Sequence, residues 1–196
     1  MSYQYLALMH PKRPSLIIMH GPSGSGKSWL SERLVPLVAA VRLRRQTYAH
    51  LLECAESCLL GGVSVIVDAA FLNADDRERF RSLAQRRGAS FVILSCIADK
   101  SEMARRIAGR AQVNADPSEA TISVLDNQLQ GFVPLRADEL EYVIRVDTLQ
   151  PDPQRAAFAM LQAREVNLGV RQVAWQQRRD LMSPAASRAN PASRRH

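Results

Sequence analysis

The sequence predicts a three-layer α/β domain built on a parallel sheet. Short apolar runs of strand length alternate along the chain with longer segments whose apolar residues recur at helical spacing. A glycine-rich loop joins the first of these strands to the first helix, and an acid closes the third strand. Alternation of this kind is typical of a parallel sheet covered by helices.

The predicted elements follow one another without an internal repeat. Strands are expected over residues 15–20, 38–43, 63–68, 90–98 and 142–147. Helices are expected from the loop to Pro36, and over residues 47–60, 73–87, 101–110, 118–130 and 153–167. Pro36 should stop or kink the first helix because proline cannot donate to the helical ladder. Asn73 is a typical N-cap, and glycines follow two of the helices.

The glycine-rich loop carries the strongest functional signal. Residues 21–28, GPSGSGKS, fit the pattern GxxxxGK[S/T] of a phosphate-binding loop at every fixed position. In such a loop the backbone N–H groups and the helix N-terminus surround the phosphates, the lysine bridges the β- and γ-phosphates, and the serine ligates Mg²⁺. The alternative is a turn without a ligand. We expect ATP and Mg²⁺ to bind at Gly21, Ser23, Gly24, Ser25, Gly26, Lys27, Ser28 and Trp29.

Three further residues are candidates for the chemistry. Asp68 closes the strand VSVIVD, and ligands of α/β sheets bind at the carboxyl ends of strands. We therefore expect Asp68 either to hold the magnesium shell or to act as the base for an acceptor hydroxyl, unless it merely caps the next turn. Arg106 and Arg110 share one helical face and can neutralise a transferring phosphoryl group, or they belong to a solvated helix.

Composition limits the class of protein. A chain of 196 residues with 46% hydrophobic and 23% charged residues is typical of one soluble domain. The sequence shows neither a membrane-spanning run nor a signal-peptide core, which predicts a cytoplasmic protein.

Three cysteines do not form a disulfide framework. His50, Cys54 and Cys58 recur every four residues, yet no fourth ligand is near, so core or surface positions are favoured over a metal site.

The net charge of +7 is concentrated at the C-terminus. Residues 171–196 contain six arginines and one aspartate, which leaves +2 for the rest of the chain. We expect a linker-like extension over residues 1–14, an ATP-binding domain over residues 15–170, and a basic, disordered tail over residues 171–196. Such a tail is usually a solvated extension, with nucleic acid or anionic lipid as the alternative partner.

The combined motifs resemble the bacterial P-loop kinases often labelled AAA-type ATPases or predicted kinases. The resemblance rests on GPSGSGKSWL at residues 21–30, GGVSVIVDAAFLNADDRERFRSLA at 61–84, RRIAGR at 105–110, PSEATISVLDNQLQGFVPL at 117–135 and VDT at 146–148. The family includes the ATP-binding half of bifunctional aminoglycoside-phosphotransferase-like proteins, and polynucleotide kinase, zeta toxins and chloramphenicol phosphotransferase are wider relatives. The resemblance implies an adenylate-kinase-like parallel sheet, Mg-ATP, Asp68 as the acid, and Arg106 and Arg110 as lid arginines.

One departure from that family concerns the acceptor. Relatives follow the second strand with a Ser-Asp-x-x-Arg-like motif and a long segment that contributes to the acceptor site. This chain passes directly from Arg44 and Arg45 to Gln46, Thr47 and Tyr48. In addition, Ala70 stands where relatives commonly have threonine. An acid and an arginine that would activate and orient the acceptor are therefore missing from this stretch.

Two functional hypotheses follow, and a third is weaker. The protein is either a phosphotransferase that moves the γ-phosphate of Mg-ATP to a hydroxyl of a small-molecule or nucleotide-like acceptor, or a nucleotide-binding module or slow ATPase that regulates a protein partner. The third is phosphorylation of a nucleic-acid 5′-hydroxyl with help from the basic tail. No membrane partner is expected.

The third hypothesis predicts a salt effect. If the tail contacts phosphates, deletion of residues 171–196 should weaken oligonucleotide binding and flatten its dependence on salt, because fewer counterions are released. The measurement is oligonucleotide affinity between 50 and 200 mM salt, as in standard salt titrations. An unchanged slope would remove this hypothesis.

Overall fold

The structure is a computed structural model that describes residues 13–44, 46–113 and 121–164, apart from the side chains of residues 111–113. The basic tail and nearly all of the N-terminal extension lie outside these ranges. Internal contacts divide the chain into two compact units, Met1–Ala159 and Met160–His196. The sheet and the candidate site belong to the first unit.

Five strands alternate with the helices. The elements are β1 (Ser15–His20), α1 (Lys27–Val38), β2 (Ala40–Arg44), α2 (Tyr48–Leu60), β3 (Ser64–Asp68), α3 (Ala74–Arg86), β4 (Ser90–Ile97), α4 (Lys100–Val113), α5 (Ile122–Gln130), a 3-10 helix (Ala137–Tyr142) and β5 (Val143–Asp147). A further helix, α6, covers residues 153–164. Among the described residues, no helix has the length and apolar character needed to cross a membrane.

All strand pairs are parallel, in the order β2-β3-β1-β4-β5. Every residue of β1 is buried, because this central strand has helices on both of its faces. On one face, α2 and α3 cover a cluster that includes Leu16, Ile18, Leu51, Val67, Phe71, Phe80 and Leu83. α1 packs on β1, β2 and β3 through Leu30 and Leu34, which lie outside that cluster. The predicted α/β fold with a parallel sheet is confirmed.

The element boundaries agree with the sequence pattern where a cap marks them. Thr47 and Asn73 accept hydrogen bonds from the first turns of α2 and α3, as their N-cap positions predict. The second strand begins at Ala40 rather than Val38, because α1 continues through Pro36 and ends at Val38. The 3-10 helix was not predicted. Residues 118–120 and 165–167, expected to be helical, lie outside the described ranges.

The phosphate loop lies against the backbone of α4. Gly24 has φ +80°, and a Cβ there would lie 2.5 Å from the carbonyl oxygen of Met103. Met103 is buried in a small cluster with Ala98, Ile107 and Leu125, which also packs α5 on α4. Only a residue without a side chain allows α4 to approach this closely.

Alanine substitution tests this close approach. Gly24→Ala should lower the free energy of unfolding by about 3 kcal/mol, because it adds a steric clash to left-handed strain. Gly88→Ala is the matched control, since Gly88 also has positive φ (+63°) but nothing within 4 Å of the added Cβ. Gly88→Ala should lower the free energy of unfolding by about 1 kcal/mol, from strain alone. Urea unfolding followed by circular dichroism measures both, and equal losses would contradict the packing argument.

Candidate active site

The loop that joins β1 to α1 is shaped by three glycines. Gly21, Gly24 and Gly26 have φ values of +137°, +80° and +92°, which side chains rarely allow. The loop closes on itself through a hydrogen bond from the Ser25 N–H to the Pro22 carbonyl (3.2 Å). The sequence therefore places a concave backbone at the N-terminus of α1, where an anion is favoured.

Lys27 opens α1 and turns back onto the loop. Its Nζ donates to the carbonyl oxygen of Pro22 over 2.8 Å. The pKa of Lys27 is lowered to about 8, chiefly because the ammonium is buried and in part because Arg110 is nearby. Among the described residues, the lysine donates to a single neutral acceptor, which a phosphate oxygen can replace.

Asp68 lies at the carboxyl end of β3 and is paired with an arginine that sequence reasoning missed. Arg42 in β2 donates to Asp68 Oδ2 from Nη2 (2.7 Å) and Nε (3.3 Å). The same Nη2 also donates to the carbonyl oxygen of Ser28, 3.2 Å away. The sequence signal was the arginine pair 42 and 44 on one face of β2. Arg44 is the register partner of Asp68, but the side-chain contacts show that Arg42 is the one that reaches the acid.

The arginines of α4 have different surroundings. Arg106 donates to Glu102 (2.7 Å), to the carbonyl oxygen of Gly24 (3.2 Å), and to Thr148 through both its hydroxyl and its carbonyl (2.9 and 3.1 Å). Arg105 is exposed and forms two bonds to Glu102. Hydrogen bonds from these two arginines lower the pKa of Glu102 to about 2. Arg106 therefore ties α4 to the loop, whereas Arg110 is exposed.

Two residues outside the loop motif also hold the loop. The Thr148 hydroxyl lies 3.0 Å from the Ser25 carbonyl, and a Cβ at Gly26 would lie 3.0 Å from the Thr148 methyl group. Gln128 in α5 accepts a hydrogen bond from the Ser23 N–H over 2.7 Å. Neither residue was predicted for the site: Thr148 and Gln128 carried a sequence signal only as members of the stretches 146–148 and 117–135.

One cavity of about 1110 Å³ collects most of the predicted site. Its lining includes Ser23, Gly24, Gly26, Lys27, Ser28, Trp29, Asp68, Arg106 and Arg110. Gly21 and Ser25, also expected to bind the nucleotide, are buried in the loop rather than in the lining. Residues 150–154 also line the cavity, and Gln46 contributes from the connection between β2 and α2. The cavity brings the predicted phosphate, metal and arginine residues together.

The donor set at this cavity fits a magnesium ion shared with phosphates. Both side-chain hydrogen bonds of Asp68 within the described residues fall on Oδ2, which leaves Oδ1 for a metal or one of its waters. Ser28 lines the same cavity. Mg²⁺ at phosphate sites needs only one or two protein ligands, since phosphates and waters complete its shell.

No dedicated metal cluster accompanies this site. Among the residues that the structure describes, no group of three or more His, Cys, Asp or Glu side chains could hold a metal. His50 Nε2 and Cys54 Sγ lie 3.5 Å apart on α2, and Cys58 is half-buried against the core.

Comparison with known proteins supports the fold. Residues 39–135 match the family model described as an AAA domain, a match that does not include the phosphate loop. A search of curated proteins found no match. Together with solved kinase structures, this match supports a P-loop kinase-like fold.

The solved structures that are similar to this chain include three kinases with named activities. A gluconokinase from Sinorhizobium meliloti has a TM-score of 0.63 and 20% identity, over 82% of this chain and 98% of that one. A sugar kinase from a Janibacter species has a TM-score of 0.58 and 17% identity, over 76% and 95%. The APS kinase of Mycobacterium tuberculosis, in complex with AMPPNP and APS, has a TM-score of 0.53 and 18% identity, over 78% and 98%. At these identities the likeness shows the fold.

The lowered pKa of Lys27 predicts how nucleotide affinity depends on pH. Phosphates bind the protonated lysine, so the affinity for ADP should be constant from pH 6.5 to about 7.5 and fall by about tenfold per pH unit above pH 8. Calorimetry from pH 6.5 to 10 measures this, with Lys27→Met as the control. The variant should bind more weakly and lack the decline, and a constant wild-type affinity up to about pH 9.5 would contradict the prediction.

Proposed function

We propose that the protein is an ATP-dependent phosphotransferase that moves the γ-phosphate of ATP to a hydroxyl of a small-molecule or nucleotide-like acceptor. The observation that carries this proposal is the single cavity that contains the loop, Lys27, Asp68 and Arg110. These groups are the ones that phosphoryl transfer requires, because its catalysis consists largely of positioning and charge neutralisation.

The phosphate end of ATP is proposed to lie over the N-terminus of α1. The loop N–H groups bind the phosphates, and Lys27 moves its ammonium from the Pro22 carbonyl to the β- and γ-phosphate oxygens. Ser28 and Asp68 would hold the magnesium ion, which when bound neutralises charge on the β- and γ-phosphates. Arg110 is the α4 arginine proposed to reach the γ-phosphate. Arg106 would do so only by leaving the Gly24 and Thr148 partners that it has here.

The base of the nucleotide is proposed to lie at the far end of the cavity, against residues 150–154. Gln154 lines this end, and its Oε1 is buried without a hydrogen-bond partner among the described residues. A buried acceptor without a partner is costly, and an exocyclic amino group such as that of adenine would satisfy it. This is the feature of the cavity that supports ATP as the donor.

The acceptor is proposed to enter beside Asp68, where Gln46 and Ala70 also line the cavity. During transfer the bond from the γ-phosphorus to its bridging oxygen breaks, the acceptor oxygen bonds to that phosphorus, and the hydroxyl proton leaves to a base. Asp68 is proposed either as that base or as part of the magnesium shell. The gluconokinase and sugar kinase neighbours place sugars and sugar acids among the acceptors to test.

A second function is favoured by one feature of the structure. β2 ends at Arg44 and α2 begins at Tyr48, so the connection is only residues 45–47. So short a connection contributes little surface beside Asp68. The alternative is therefore a nucleotide-binding module or slow ATPase, whose nucleotide occupancy regulates a protein partner.

Consumption of ATP separates the two functions. Release or transfer of γ-phosphate from Mg-ATP is measured alone and with pooled sugars and sugar acids, aminoglycosides, other metabolites and 5′-hydroxyl oligonucleotides. We expect one pool to stimulate consumption at least tenfold and Lys27→Ala to abolish it, because the variant lacks the phosphate-binding cation. Turnover retained by Lys27→Ala would contradict the phosphotransferase proposal. ATP binding without stimulation by any pool would favour the regulatory module.

A further inference from the structure

The pairing of Arg42 with Asp68 decides between the two roles that the proposed function leaves to this acid. The Arg42 side chain is only 14% exposed, and that of Asp68 is 3% exposed. Their contact is a charge-assisted pair, with both Nη2 and Nε of one guanidinium directed at Oδ2. Such a pair fixes the orientation of the carboxylate far more firmly than an exposed ion pair would.

The same guanidinium also reaches the other candidate metal ligand. Nη2 of Arg42 donates to the main-chain carbonyl of Ser28, whose hydroxyl is proposed to bind magnesium. Arg42 thus joins the end of β3 to the first turn of α1. Because the guanidinium is planar and rigid, it sets the position of Asp68 relative to Ser28.

We infer that Arg42 is a positioning residue that commits Asp68 to the magnesium shell rather than to proton transfer. With Oδ2 occupied by Arg42, Oδ1 is the oxygen left to face the cavity. Magnesium demands near-ideal octahedral geometry, so a ligand held in one orientation contributes more to the metal affinity than a mobile one. Residues that orient a metal ligand typically contribute 10- to 100-fold to metal affinity.

Removal of Arg42 should release the Asp68 carboxylate from its present orientation. Within the described parts of the chain, Arg42 is the only cation that forms an ion pair with Asp68. A carboxylate that is 3% exposed and has lost its cation is strongly disfavoured, so its side chain is expected to turn toward water and away from Ser28. Nucleotide phosphates would still bind the loop, but magnesium would contribute less to the nucleotide affinity.

Arg44 provides a matched control. It lies on the same face of β2, two residues further on, and is the register partner of Asp68. Arg44 is exposed, and no hydrogen bond or ion pair of its side chain occurs in the described residues. Arg44→Ala therefore removes the same charge from nearly the same place without removing the contact to Asp68.

The experiment measures the affinity for AMPPNP with magnesium and with EDTA, for wild type, Arg42→Ala, Arg42→Lys and Arg44→Ala. Binding of Mn²⁺ in the presence of AMPPNP, followed by electron paramagnetic resonance, is the second readout. Thermal unfolding of each variant verifies that it is folded. Arg42→Lys keeps the charge but lacks the fork that reaches Asp68 and Ser28 together.

The readout is the factor by which magnesium increases the affinity for AMPPNP. We expect this factor to be at least tenfold smaller in Arg42→Ala than in wild type. The affinity without metal should stay within twofold of the wild-type value. In Arg42→Lys the gain in affinity from magnesium should be about threefold smaller than in wild type, and in Arg44→Ala it should equal that of wild type. The inference is overturned if Arg42→Ala keeps or increases the gain from magnesium, if Arg42→Lys equals wild type, or if Arg44→Ala loses as much as Arg42→Ala. Unchanged magnesium dependence with lost turnover would assign Asp68 to proton transfer.

These outcomes are distinguishable from failure of the proposed function. If no acceptor is found, nucleotide binding with and without magnesium still tests Arg42, because the regulatory module uses the same metal site. If wild type binds AMPPNP without any gain from magnesium, this inference and the phosphotransferase proposal are both overturned.

Discussion

The close contact between α4 and the phosphate loop is the constraint on which the site depends. Gly24 allows the backbone of Met103 to approach, and Arg106 then bonds to the Gly24 carbonyl and to Thr148 after β5. The loop is thereby held by two elements that are distant from it in sequence, α4 and the segment after β5. Its concave shape follows from tertiary packing as well as from the local freedom of its glycines.

The charges around the cavity are largely balanced within the protein. Lys27 donates to a loop carbonyl, Arg42 is paired with Asp68, and Arg105 and Arg106 share Glu102, whose lowered pKa keeps it anionic at neutral pH. Nucleotide phosphates therefore exchange existing contacts for new ones rather than entering a field of free cations. Exchange of this kind favours a ligand that satisfies several groups at once, as a triphosphate does.

The side of the cavity proposed for the acceptor is sparse by comparison. The connection between β2 and α2 spans residues 45–47 and adds Gln46 to the lining, while the turn after β3 contributes Ala69 and Ala70. The Ala70 carbonyl accepts a hydrogen bond from the Gly21 N–H, so this turn supports the loop. A small acceptor with few polar groups, or a partner that completes the wall, suits this side of the cavity.

The sequence by itself determined the elements and the phosphate loop, because periodicity, N-caps and glycine spacing are local properties. Thr47 and Asn73 marked their helices correctly, and residues 21–28 lie where strand meets helix. The tertiary structure decided which side chains meet. Although strand register pairs Arg44 with Asp68, it is the side chain of Arg42 that packs against this acid, and α4 docking directs Arg106 to Gly24 and Thr148. These partners are separated by 26 to 82 residues, and only the packed sheet and helices bring them within hydrogen-bond distance.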